Sequence, residues 1–264
     1  MIVVTGTKRS GTSMWMHVLV AAGLPYVGER FPGGWGELLR DANPDGFYES
    51  ELMIGVNYRT NPHPLTGAYL APQQTREHAV KIFIPGLVRS DVAFLDRCIA
   101  TVRGWREYVA SIRRIGVEDP ALPPALEWWC TNFALIRDLA IRGYPAHVLS
   151  YDSFLRDPAR VATEVLAWIG RGDPAAAARV VRAKDPHEAR QAPSREPDSA
   201  LADGVDARHL EVFDELYAVI DAGEPLSAGF IERLNAVDRA LRPQVREHQA
   251  AVEAETIADI FRRR

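Results

Sequence analysis

The residues Gly6–Ser13 combine two glycines, two basic side chains and several hydroxyl groups, a set that suits anion binding. They follow the apolar run Ile2–Val4 and precede Met14–Ala22, which is typical of a helix. Strand, glycine-bounded loop and helix is the layout of a phosphate-binding loop, in which backbone N–H groups and the positive end of a helix dipole surround an anion. Lys8 and Arg9 add formal charge. We therefore predict an anion site here, with a tight turn carrying chance charges as the alternative.

One position separates this loop from the nucleotide-hydrolase pattern G-x-x-x-x-G-K-[ST]. Thr12 stands where that pattern has the lysine that reaches the outer phosphates of a nucleoside triphosphate. The cation lies earlier, at Arg9, and the hydroxyl groups of Ser10 and Ser13 flank the second glycine. The loop therefore argues against ordinary ATP or GTP chemistry and suits an anionic leaving group. Because no His, Cys or carboxylate cluster has ligand spacing, we predict no metal.

Composition narrows the class of protein. The 264 residues are 47% hydrophobic and 25% charged, as in an ordinary globular protein. A net charge of −4 makes a general nucleic-acid binder unexpected, and no apolar run approaches the roughly 20 residues of a membrane span. Cys98 and Cys130 lie in apolar surroundings, which indicates buried thiols in a reducing compartment. With a strand beginning at residue 2, no signal peptide is expected, and we predict a cytoplasmic protein.

The first 170 residues alternate between strand and helix patterns, which predicts an α/β fold with a mostly parallel sheet flanked by helices. The later predicted strands are Val80–Ile84, Cys98–Val102 and Ala146–Ser150. Ligands of such sheets bind beyond the carboxyl ends of the strands, where the 6–13 loop and Arg103 would meet. Ser111 follows two helical turns later, so the two side chains are candidates for gripping a second phosphate. A surface arginine and an ordinary helix serine are the alternative.

The remaining segments are less regular. Residues 25–79 are loop-rich, with a helical turn predicted at 37–41 and Glu29 and Glu49 among the titratable candidates. Residues 171–264 are predicted to form a helical part, including a lid-like loop at about 184–204. Two amphipathic helices follow, the second kinked or broken at Pro243. We predict a single domain over 1–264, with an α/β core at 1–170 and a possible homodimer through the C-terminal helices.

Four segments resemble sulfotransferase motifs, and they occur in the family's order over roughly residues 1–170. Thr7–Ser13 resembles the 5′-phosphosulfate loop, P-R-S-G-T-[ST], and Arg103–Ser111 resembles the 3′-phosphate motif, R-D-P-R-E-V-x-x-S. Tyr151–Pro158 resembles the Y-E-D-L-x-x-D-P segment, and Asn43–Glu49 is similar to an N-P-x-G-[YF]-x-E stretch of bacterial members. The resemblance implies a P-loop NTPase-like three-layer fold and a PAPS-dependent enzyme, PAPS being 3′-phosphoadenosine 5′-phosphosulfate.

The resemblance also implies a reaction and a set of site residues. The reaction is in-line sulfuryl transfer, without metal, to a hydroxyl or amine of a small acceptor such as a natural product or carbohydrate. Arg9 would hold the bridging oxygen, Arg103 and Ser111 would bind the 3′-phosphate, and Tyr151 would contact the adenine. The residues expected to bind the 5′ end of the donor are Lys8, Arg9, Ser10, Gly11, Thr12 and Ser13.

The sequence departs from the family at the catalytic base. Many members carry K-T-H-x-P in a strand that matches residues 81–85; Lys81 and Pro85 are present, but Phe83 replaces the histidine and cannot take a proton. Glu49 and Glu29 are the candidate bases, and Glu49 is favoured. Lys81 is expected to assist at the sulfuryl oxygens, with a plain salt bridge as its other role.

Two other functions stay open at this point. One is a kinase or other phosphotransferase with an altered loop, which Thr12 and the lack of a clear magnesium-binding Asp at a strand end count against. The other is a protein that binds PAPS or its product, adenosine 3′,5′-bisphosphate, without catalysis, which Phe83 would allow.

Overall fold

The computed structural model of the chain describes residues 1–33, 43–182 and 198–262. These form two compact units. Unit 1 contains Met1–Arg103 and the described part of Ala134–Pro193. Unit 2 contains Gly104–Phe133 and the described part of Ser194–Arg264. The single domain over 1–264 stays a prediction.

A five-stranded sheet forms the centre of unit 1, and all its strands are parallel. The strand order is β2-β3-β1-β4-β5, so the first strand of the chain lies in the middle. Val4 of this central strand pairs with Lys81 on one side and with Ile99 on the other. The strands are β1 (Ile2–Gly6), β2 (Tyr26–Val27), β3 (Ala79–Lys81), β4 (Arg97–Val102) and β5 (Ala146–Ser150).

Helices make up most of the remaining described chain. Those of unit 1 are α1 (Thr12–Ala21), α2 (Pro72–Thr75), α3 (Ile84–Leu87), α6 (Tyr151–Arg156), α7 (Pro158–Ile169) and α8 (Pro174–Arg182). Those of unit 2 are α4 (Trp105–Ile115), α9 (Asp198–Leu201), α10 (Ala207–Ala222) and α11 (Ala228–Arg262). The remaining helix, α5 (Pro124–Arg142), supplies residues to both units, and short 3-10 helices lie at Glu51–Ile54 and Val92–Phe94.

Alternation along β1 explains why both faces of the sheet are covered. Ile2 and Val4 point to a core shared with α1 and α7, whereas Met1 and Val3 point to a second core that includes residues of α3 and α5. Side chains of a strand alternate between faces, so a strand that is apolar at every position needs a packed layer on each side. The predicted α/β fold with a parallel sheet flanked by helices is therefore confirmed.

Unit 2 has its own aromatic core. The Trp129 ring stacks on Phe213 with centroids 4.8 Å apart, and Trp128 lies 5.2 Å from the same phenyl ring. Leu234 and Leu241 of α11 are buried as well. The amphipathic stripes predicted for the two C-terminal helices are confirmed by this burial.

Several element boundaries differ from the prediction. The strand predicted at Val80–Ile84 ends at Lys81, and α3 begins at Ile84, because Pro85 fits the first turn of a helix. The edge strand β2, with two residues, was not predicted. Of the kink or break predicted at Pro243, the break is wrong: α11 continues through this proline, which is exposed, so that solvent can satisfy the carbonyl freed there. The kink stays a prediction.

Other predictions fall outside the described residues. The helical turn at 37–41 is one of them. Most of the lid-like loop at 184–204 is another, including Arg190 and Arg195, which the sequence suggests as basic contacts for the donor.

Candidate functional site

The loop between β1 and α1 has a tightly determined backbone. Arg9 and Gly11 both have positive φ, at 62° and 100°. The Ser10 hydroxyl donates to the Thr7 carbonyl at 2.8 Å, and the Thr101 hydroxyl donates to the Ser10 carbonyl at 2.8 Å. A Cβ on Gly6 would lie 2.3 Å from Ser10 Oγ, so only glycine fits there. The loop is thus held in one shape by local bonds and by the end of β4.

The loop and the start of α1 contain several hydrogen-bond donors that the helix itself does not use. Helix α1 starts after Gly11 without a side-chain cap and has no acidic residue in its first turn. The first N–H groups of a helix have no acceptor within the helix, and the helix dipole makes this end positive. The buried Thr7 hydroxyl has no hydrogen-bond partner either. With Lys8 and Arg9 in the same loop, these donors suit an anion.

Two residues of the predicted donor site brace the loop. Arg103 is buried directly after β4; its Nη1 donates to the Arg9 carbonyl at 3.2 Å, and its guanidinium lies 4.9 Å from the Tyr151 ring centroid. A Cβ on Gly11 would lie 2.9 Å from Cδ2 of Tyr151. Arg103 and Tyr151 therefore both lie at the loop, and their contacts with the donor stay predictions.

Ser111 is buried in α4 of unit 2, whereas Arg103 belongs to unit 1. Their joint grip on a 3′-phosphate stays a prediction.

A buried ion pair lies beside the start of α1. Lys81 Nζ is 2.8 Å from Glu49 Oε1, and the two side chains are only 2% and 6% exposed. The same Nζ donates to Ser13 Oγ at 3.2 Å. Burial lowers the pKa of Lys81, the Glu49 carboxylate opposes this effect, and Arg9 adds to it. The contact brings together three side chains that are far apart in sequence.

The second oxygen of Glu49 is the most unusual atom of the site. Oε2 is buried and has no hydrogen-bond partner, while Oε1 is held by Lys81. An ionised carboxylate can accept about four hydrogen bonds, and a buried polar atom without a partner costs free energy. A fixed carboxylate with one free oxygen can receive a proton or a hydrogen bond from a bound hydroxyl.

The backbones of the candidate bases Glu29 and Glu49 are paired, but their side chains lie in different environments. Glu29 N–H donates to the Glu49 carbonyl at 2.8 Å, and Glu49 N–H donates to the Glu29 carbonyl at 3.1 Å. The Glu29 side chain is exposed, whereas that of Glu49 is buried against Lys81. The structure thus places Glu49, and not the Glu29 side chain, in the buried cluster.

Contacts with α1 position the segment that carries Glu49. Ser13 Oγ donates to the Phe47 carbonyl at 3.3 Å. The imidazole of His17 stacks on Tyr48 with ring centroids 6.4 Å apart, and its Nδ1 lies 3.8 Å from Asp45 Oδ1. Sequence reasoning missed His17, although its place one turn after Ser13 puts both on one face of α1.

Phe83 lies where the resemblance would put a histidine. Its ring centroid is 5.4 Å from Lys81 Nζ, so it contributes a cation–π contact and an apolar wall. It gives the cluster no proton acceptor. The carboxylate of Glu49, 2.8 Å from Lys81 Nζ, can take a proton.

No protein-family model matches the sequence, and no curated protein is significantly similar to it. Within the described ranges, no group of three or more His, Cys, Asp or Glu side chains is arranged to hold a metal ion. No helix in the same part of the chain is long and apolar enough to cross a membrane. Cytoplasmic location and a homodimer stay predictions from the sequence.

Proposed function

We propose that the protein is a sulfotransferase of P-loop NTPase-like fold that moves a sulfuryl group from PAPS to a small hydroxyl-bearing acceptor. The observation that carries this proposal is the buried Glu49–Lys81 pair, which lies at the first turn of the helix that follows the anion-suited loop. A loop that suits an anionic leaving group and a fixed carboxylate are the two parts that such a transfer needs.

The donor is assigned to the loop residues. Backbone N–H groups at the start of α1, with the Thr12 hydroxyl, would bind the 5′-phosphate, while the Ser10 and Ser13 hydroxyls hold the loop and the segment that carries Glu49. Lys8 and Arg9 would neutralise the charge of the leaving phosphate, as a positive end of a helix does. Arg103 would bind the 3′-phosphate, and a contact of Ser111 with it remains the expectation of the sequence resemblance alone. Tyr151, whose ring lies against Gly11 and Arg103, would contact the adenine.

The reaction follows from this placement. The acceptor O–H bond breaks and its proton passes to Glu49 Oε2. The acceptor oxygen forms a bond to sulfur while the bond between sulfur and the bridging oxygen breaks, and the electron pair leaves on the 5′-phosphate. By analogy with phosphoryl transfer, a group that is planar and electron-poor in transit needs little covalent help, so positioning and charge neutralisation supply most of the rate. Lys81 holds the Glu49 carboxylate and can also approach the sulfuryl oxygens.

A protein that binds the donor without catalysis is the second candidate. Phe83, which stands in place of the expected histidine, favours it. This candidate predicts the same ligand affinity but no transfer of sulfur, so the two differ in turnover alone.

Calorimetry with adenosine 3′,5′-bisphosphate, ADP and ATP, each with and without magnesium, tests the proposed donor. We expect the bisphosphate to bind tightly without metal, and Arg9→Ala to weaken it by about tenfold or more, because a charge-assisted contact is lost. Arg89→Ala, which removes an exposed arginine of the same unit, is the matched control and should bind as the wild type does. Preference for ATP with magnesium would instead favour a phosphotransferase.

A further inference from the structure

Exposed apolar side chains are concentrated in one loop of unit 1, residues 54–70, which we call the apolar loop. Ile54, Tyr58, Leu65 and Tyr69 are 52%, 81%, 87% and 60% exposed. These residues lie between positions 54 and 69, and large apolar side chains that face solvent in one segment indicate a surface that binds a ligand or a partner.

The apolar loop is a folded structure. The Asn61 side chain donates to the Leu70 carbonyl at 3.0 Å and accepts from the Leu70 N–H at 2.8 Å. Between these residues, His63 N–H donates to the Ala68 carbonyl at 2.7 Å, and Gly67 N–H donates to the His63 carbonyl at 2.9 Å. Its polar groups are used in internal bonds, while its apolar side chains face solvent, so the surface is preorganised.

His63 ties the tip of the apolar loop to its base. Its Nδ1 accepts from the N–H groups of Leu65 and Thr66, each at 3.2 Å. Its Nε2 lies 2.7 Å from Glu51 Oε2, so the proton of the ring is placed on Nε2. Glu51 follows Glu49 by two residues. The His63 side chain is thus bonded to a residue two positions from Glu49 in the sequence.

The other end of this connection lies next to Lys81. Phe83 N–H donates to the Met53 carbonyl at 3.2 Å, and a Cβ on Gly86 would lie 2.5 Å from the same carbonyl. The Phe83 ring is in turn 5.4 Å from Lys81 Nζ. Met53, the residue before the apolar loop, is therefore bonded to Phe83, whose ring contacts Lys81.

We propose that the apolar loop receives the body of the acceptor, and that the acceptor is a neutral alcohol or phenol with an aromatic or aliphatic skeleton. This inference rests on the proposed sulfuryl transfer. Glu49 Oε2 can receive the proton of a hydroxyl group. The Phe83 ring gives the Lys81–Glu49 pair an apolar neighbour, and the Phe83 N–H is bonded to Met53, directly before the apolar loop. A sugar would need polar partners, whereas the side chains of Asn61 and His63 are engaged in bonds to the loop backbone and to Glu51.

Binding of 2-naphthol, followed by its fluorescence with and without adenosine 3′,5′-bisphosphate, tests the inference. The variants are Leu65→Ser, Tyr69→Ser and the pair together; Tyr58 is left in place because Arg59 stacks on it. We expect the double variant to weaken naphthol binding by about tenfold, since buried apolar area is lost, and to keep the affinity for the bisphosphate. Ile141→Ser removes a 73% exposed apolar side chain elsewhere in unit 1 and should change neither.

The possible failures are distinguishable. If the wild type binds the bisphosphate but naphthol binding is equal in the double variant, the role of the apolar loop is overturned and the proposed function stands. If the double variant changes a dimer into a monomer in light scattering and leaves naphthol binding intact, the surface serves a second copy of the chain and the inference is overturned. If the wild type does not bind the bisphosphate, the proposed function fails and the acceptor role fails with it.

Discussion

Replacing Lys81 with methionine removes a buried cation and keeps a side chain of similar length. The packing of the site is therefore retained, while Glu49 keeps its place without its partner 2.8 Å away. Both side chains are almost fully buried, so solvent cannot take over the role of the ammonium group. Removing one partner of such a pair costs about 3–5 kcal/mol in the free energy of unfolding, because an uncompensated charge is left inside the protein.

The double variant Lys81→Met with Glu49→Gln separates charge from packing. With both charges gone, we expect a cost of only about 1 kcal/mol, since buried ion pairs often contribute little relative to neutral replacements of similar size. The double variant should therefore cost clearly less than the sum of the two single variants, which is a favourable coupling between the two side chains.

Urea denaturation of the two single variants and the double variant provides these free energies. Arg76→Met is the matched control in the same unit, because Arg76 Nε is 2.9 Å from Asp96 Oδ1 but the arginine is 71% exposed. An exposed pair of this kind contributes about 0–1 kcal/mol. The reasoning is refuted if Lys81→Met costs no more than Arg76→Met, or if the cost of the double variant equals the sum of the single costs.

Two further predictions concern the loop between β1 and α1 and the Cys98 thiol. Gly11→Ala should abolish tight bisphosphate binding and destabilise the protein by about 1–3 kcal/mol, because φ is 100° and a Cβ would lie 2.9 Å from the Tyr151 ring. Gly67→Ala is the control, because φ is 68° there too but an added Cβ would meet no atom within 4 Å. This variant should keep full bisphosphate affinity in the same calorimetric titration, and an equal loss of affinity in the two variants would contradict the prediction. Burial raises the pKa of the Cys98 thiol from 9.0 to about 12. The unfolded chain then releases this proton above about pH 9 while the native state retains it, so stability falls by about 1.4 kcal/mol per pH unit between pH 9 and 12. Urea denaturation at pH 8 and pH 10 measures this loss, and Cys98→Ala should reduce it; an unchanged loss in that variant would refute the assignment.

The parts of the fold that were predicted correctly depend on short stretches of sequence. Ile2–Gly6 is apolar on both faces, the glycine-bounded loop follows, and α1 begins at once, so one local pattern determines the central strand and the candidate anion site. β4 and β5 were likewise predicted from short apolar stretches. The parallel arrangement follows from the alternation of strands and helices.

The parts that were not predicted depend on contacts between distant residues. Glu49 and Lys81 are 32 positions apart in sequence, and Lys81 and Ser13 are 68 apart. Neither hydrogen bond can therefore be predicted from a short stretch of sequence. The choice between Glu49 and Glu29 depends on burial, which the short bridge between their backbones determines. The two-residue strand β2 has too few residues to show a period.

Transfer of sulfur-35 from labelled PAPS to a panel of phenols, alcohols and amines, 2-naphthol among them, tests the proposed enzyme most directly. The wild type should form labelled product, and Glu49→Gln should slow this by about 10²–10⁴-fold without loss of bisphosphate affinity, as expected for a general base. Glu29→Gln, which changes the exposed neighbour, should react at the wild-type rate. A wild-type protein that binds the donor and transfers no label to any acceptor, or a Glu49→Gln variant as fast as the wild type, would contradict the account.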